Sequence, residues 1–133
     1  MMPNPYAKYR QTQVQTAAPE QLVLMLYDGA IKFCLQGKEC IENKDVAGAN
    51  AALTRVQDII SELQFSINDE AGEIAQQLSL LYDYLYRRAL DANLTKDVTI
   101  IEEIVNMVRD LRATWVEAIR LARHQAGAAD GNY

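Results

Sequence analysis

The chain has 133 residues, enough for one compact domain and too few for two of ordinary size. Thirteen Lys and Arg against eighteen Asp and Glu leave a net charge of −5, an acidic balance that argues against a phosphate-backbone partner. Half the residues are apolar, yet they fall in short clusters and none approaches the roughly 18–20 in a row that cross a bilayer.

Residues 1–18 carry Pro3, Pro5, Tyr6, Tyr9 and several glutamines with no helical period, and read as an N-terminal arm. The opening, Met1 to Arg10, is polar and tyrosine-rich and has no apolar signal core, so a cytosolic location is expected. The bundle proper is expected over residues 19–124. A first helix runs from about Pro19, which suits a first helical turn because its missing N–H is not needed there, to Asn43. A second, capped by Asp45, runs from Val46 to about Asn68 with the stripe Val46, Ala49, Leu53, Val56, Ile60, Leu63, Ile67. A turn over 68–72 leads to a third helix ending near Asn93, its stripe Ile74, Leu78, Leu81 and Leu85. Asp97 caps a fourth, which shows Ile101, Ile104, Val108, Leu111, Trp115, Ile119 and Ala122 and ends near His124. Residues 125–133, rich in Gly and Ala, read as a flexible tail. Steps of three and four and short connections predict an all-α, antiparallel, up-and-down four-helix bundle.

Catalytic chemistry finds no footing in this pattern. The single histidine, His124, falls at the end of the last helix, where general acid–base work has no pocket. Cys34 and Cys40 lie six apart on one helix, too far for a disulfide or a shared metal, and read as reduced, partly buried thiols. The Glu-x-x-His pairs of di-metal bundles and the Gly-rich phosphate loops are absent. No enzyme, cofactor or metal site is expected.

The informative residues are apolar ones that a single seam does not use. On the first helix Leu24, Ile31 and Leu35 fall opposite Leu22, Leu26, Ala30, Phe33 and Ile41, with Tyr27 between. Ile59 sits at a border of the second helix and Phe65 points out. Tyr82 and Tyr84 flank the third seam, Tyr86 lies outside it, and Ile100 and Met107 share an edge of the fourth. One such residue has a bland reading, since folded surfaces are largely apolar; together they describe grooves for another protein's amphipathic helices, or a homodimer face.

Tyr6, Tyr9 and the run from Gln15 to Ala30 (QTAAPEQLVLMLYDGA) are similar to the opening of the FliS flagellin-chaperone family. Ala49-Asn50, Ile59 to Leu63, Gly72 to Ala75, Leu81 to Tyr84, Ala92-Asn93, Leu111-Arg112 and Thr114-Trp115 continue the resemblance in order, over roughly residues 6–120. Where the family often has a serine this chain has Ala18; Thr16 is the substitute cap. The resemblance implies a cytosolic export chaperone for the disordered C-terminal segment of flagellin, blocking early polymerisation and keeping the client fit for flagellar type III secretion. An export-gate component and an anti-sigma factor are further candidate partners. The residues expected at the client are Tyr6 and Tyr9 on the arm, and Leu24, Tyr27, Ile31, Ile59, Tyr82, Tyr84, Ile100 and Met107 on the groove wall. The alternative reading is a non-enzymatic structural bundle that dimerises through the same surface when free of client.

Overall fold

The computed structural model describes residues 19–67 and 72–130. Four α-helices account for nearly all of them: α1, Pro19–Glu42; α2, Val46–Phe65; α3, Glu73–Thr95; α4, Val98–Asp130. The expected bundle is present. The arm with Ala18 and the capping candidate Thr16, residues 68–71 and residues 131–133 lie outside the described residues.

Helix ends follow local chemistry. Asp45 caps α2, its Oδ1 accepting from the Gly48 N–H at 2.9 Å. Asp97 caps α4, with Oδ1 accepting from the Thr99 N–H at 2.9 Å and from the Thr99 hydroxyl at 2.7 Å. Lys44 and Lys96 leave α1 and α3 in left-handed conformations, φ 60° and 56°. Lys96 Nζ then donates to the Asn93 carbonyl at 2.6 Å and to the side chains of Asn93 and Asn50, tying the α3–α4 turn to α2. This is where the matched Asn50 and Asn93 are used. The fourth helix does not stop near His124 but runs on to Asp130.

Each helix packs on its neighbours in a closed ring, α1–α2–α3–α4–α1, with the diagonal pairs apart. Cross-helix pairs fix antiparallel registers. Lys38 meets Glu102 at 3.2 Å and Asp28 meets Arg112 at 2.6 Å, while Arg88 meets Glu103 at 2.8 Å. Close approach of α1 to α2 depends on small residues: a Cβ at Gly37 would lie 3.2 Å from Leu53 Cγ.

The core is built from Leu26, Ala30 and Phe33 of α1, the whole inner face of α2, and Ile101, Ile104 and Val108 of α4. On α3 the buried set is Ala75, Tyr82, Leu85, Ala89 and Ala92, so the seam lies about one residue round from the expected Ile74, Leu78, Leu81, Leu85. Ile74 is 64% exposed and Val46 59% exposed, both in the first turn of their helices.

Candidate docking surface

Two seams flank α4, and they differ. The α3–α4 seam is the most loosely packed of the four. Along it, half-buried Tyr84 of α3 donates to Glu103 Oε2 at 3.1 Å, and Glu103 also takes Arg88 Nε at 2.8 Å. The Arg88 guanidinium holds the Glu103 carboxyl below its ordinary range. Met107, Leu111 and Leu81 lie partly open beside this network. On the other flank, Leu24 and Ile31 of α1 are partly open toward α4, and Leu35 is exposed.

The registers of the ion pairs place Pro19 opposite roughly Leu121 and Glu73 opposite roughly Ala118, so α4 outlasts both neighbours. Its apolar stripe passes the start of α3 with Ile119 and the start of α1 only with Ala122. Trp115 donates its indole N–H to the Glu20 carbonyl at 2.9 Å, and the stripe then continues through Ile119 and Ala122. Two open apolar hollows of about 320 and 310 Å³ lie either side of the Ile119–Arg123 ridge. At the same end of the bundle Phe65 is 88% exposed, beside a depression of about 540 Å³ that Ile67 and Ala75 help to line. The opposite end is closed by the polar turns around Asp45 and Lys96.

The expected wall residues divide into two groups. Leu24, Ile31, Tyr84 and Met107 are partly open on the flanks of α4. Tyr27, Ile59, Tyr82 and Ile100 are buried in the core. Tyr27 and Tyr82 are there because their hydroxyls meet at 2.6 Å across the bundle, and burial raises both phenol pKa values. Ile59 fills the space left by Gly29, where a Cβ would stand 3.1 Å away. These four are core residues and do not stand on a groove wall as expected. Tyr6 and Tyr9 lie outside the described residues. Val116, which lines a hollow with Leu24, and Leu121, opposite the start of α1, are exposed apolar residues that the period of the fourth helix did not single out.

Among the described residues no group of His, Cys, Asp or Glu is arranged to hold a metal ion. Burial pushes the Cys34 thiol up to about 12, so it is no nucleophile at neutral pH. No helix among them is long and apolar enough to cross a membrane.

The family model described as flagellar protein FliS matches residues 2–122. The flagellar secretion chaperone FliS of Bacillus subtilis is 40% identical over 127 residues, covering 93% of this chain and 95% of that protein. The FliS chaperone of Salmonella typhimurium is 37% identical over 107 residues, covering 79% of each. A crystal structure of a bacterial flagellar chaperone aligns with a TM-score of 0.73 at 21% identity, over 86% of this chain and 94% of that one, a likeness of fold.

Proposed function

The chain belongs to the FliS family, whose curated relatives are flagellar secretion chaperones, and from that premise we propose that it holds the C-terminal segment of flagellin in the cytosol before export. The observation that carries this reading is the apolar stripe of α4 reaching the open end of the bundle through Ile119, with the α3–α4 seam on one side and open hollows against α1 on the other. A client's amphipathic helix has there what a soluble bundle has no internal use for. Ordering a disordered segment costs about 2–5 kcal/mol. About 200 Å² of apolar burial at roughly 25 cal/mol per Å² offsets the upper figure, so a client lying along more than one turn of groove binds with a surplus. Binding blocks polymerisation by occupation and needs no nucleotide.

In this reading Leu24, Ile31, Tyr84 and Met107 touch the client. Tyr6 and Tyr9 cover part of the groove while it is empty. A tethered segment of this kind competes at an effective concentration that reaches the order of mM, enough to shield the groove and not enough to exclude a tighter client.

Titration calorimetry against flagellin's C-terminal segment tests the proposal. Saturable one-to-one binding with a negative heat-capacity change is expected, tighter in a Tyr6→Ala/Tyr9→Ala variant and weaker in Met107→Glu. Absence of heat from a chain that stays dimeric on dilution would favour the structural-bundle reading.

A further inference from the structure

Between α1 and α4, away from the open end, the surface holds a notch of about 260 Å³. Its floor is Ile101 and Val105, both core residues, and exposed Leu35 forms an apolar wall. Lys38, Asn106 and Arg109 stand on the rim. The one acid there, Glu102, already lies 3.2 Å from Lys38 Nζ.

Arg109 is distinguished from every other described arginine. Arg87 pairs with Asp83, Arg88 with Glu103 and Asp91, and Arg112 with Asp28. Arg120 pairs with Glu117, Arg123 with Glu20, and Arg55 stands over the Phe33 ring. Arg109, exposed on α4, has none of these engagements with the described residues. In a chain of net charge −5, an unengaged guanidinium beside a half-apolar notch offers donors to an incoming anion.

We propose that this notch receives the chain-terminal carboxylate of the client. Arg109 and Lys38 donate to its two oxygens, the Asn106 amide lies alongside, and an apolar side chain near the terminus packs on Leu35 over Ile101 and Val105. The proposal rests on the reading of the client as a C-terminal segment, which necessarily ends in such a group. The notch sets donors beside an apolar wall, which suits a carboxylate with an apolar side chain next to it, as at the end of an amphipathic segment. Capture of a terminal carboxylate by converging donors is a recurrent recognition mode.

The test uses the whole chain and two synthetic versions of the flagellin C-terminal segment, one ending in the free acid and one in the amide, titrated at low and high salt. The acid is expected to bind about three- to fivefold more tightly than the amide at low ionic strength, with the difference shrinking in salt. Arg109→Gln should lower acid binding to the level of the amide and leave amide binding unchanged; Arg109→Lys should keep part of the preference. Because Arg109 has no partner to lose among the described residues, these variants are expected to fold as the parent does, which circular dichroism verifies. Equal binding of acid and amide to the parent chain overturns the notch assignment and leaves the chaperone reading intact. A preference that survives in both Arg109→Gln and Lys38→Gln overturns it too, since the carboxylate is then read elsewhere. Failure of both peptides to bind removes the chaperone reading and the notch with it.

Discussion

Tyr27 and Tyr82 stand on helices that do not pack against one another, yet their hydroxyls meet at 2.6 Å inside the core. Each is the other's buried partner, so removing one strands the other. Tyr82→Phe is expected to cost about 1–3 kcal/mol in denaturant unfolding, and Tyr27→Phe a similar amount. The double Phe variant should be more stable than the sum of the single losses allows, because both polar groups then leave together. Strict additivity would show that the hydroxyls do not depend on each other. Periodicity placed both rings at seam borders, where a tyrosine normally packs its ring and wets its hydroxyl. It had no means of showing that each hydroxyl has a dry partner 55 positions away. Two expected wall residues are core residues for that reason. The same blindness hid the notch, since Lys38 and Arg109 converge only once α1 lies on α4.

Helix identity and order were legible, because Asp45 and Asp97 are strong caps and the stripes of the second and fourth helices are made of large aliphatics. The third helix was harder. Three of its five buried residues are alanines, Ala75, Ala89 and Ala92, which carry little hydrophobic signal and let Ile74 and Leu81 dominate the pattern. At the start of α2 a glycine does what an alanine cannot. A Cβ at Gly48 would fall 2.3 Å from Asp45 Oδ2 and 2.8 Å from Cys40 Sγ, breaking the cap that begins the helix. Alanine's better helix propensity, worth about 1 kcal/mol over glycine, acts in the opposite direction. We expect Gly48→Ala to lower the melting temperature all the same, and a rise would mean that the cap relaxes without loss.

The whole molecule has two acid–base limits. Thr99 donates to Asp97 and Arg88 to Glu103, holding both carboxyls below their ordinary range. Depressed values of this kind add stability above the ordinary carboxylate range, and the contribution disappears as pH falls through the folded values. Cys34 works from the other side: its contribution is complete below its ordinary value of 9.0 and is lost as pH rises toward about 12. Melting temperature against pH should therefore give a plateau with an acid and an alkaline limb. Asp97→Asn should shrink the acid limb, leaving the share of Glu103, and Cys34→Ala the alkaline one, leaving the share of the raised Tyr27 and Tyr82 phenols. A parent curve lacking either limb would show that the corresponding groups do not titrate differently on unfolding.

The ring of helices also bears on time. Every packed pair but one joins helices adjacent in the chain, and only α1 against α4 closes over a long separation. Bundles dominated by such near-sequence contacts assemble in microseconds to milliseconds. In the role proposed above, a holder has to be ready before its client finds copies of itself, and a topology of near-sequence contacts favours that readiness.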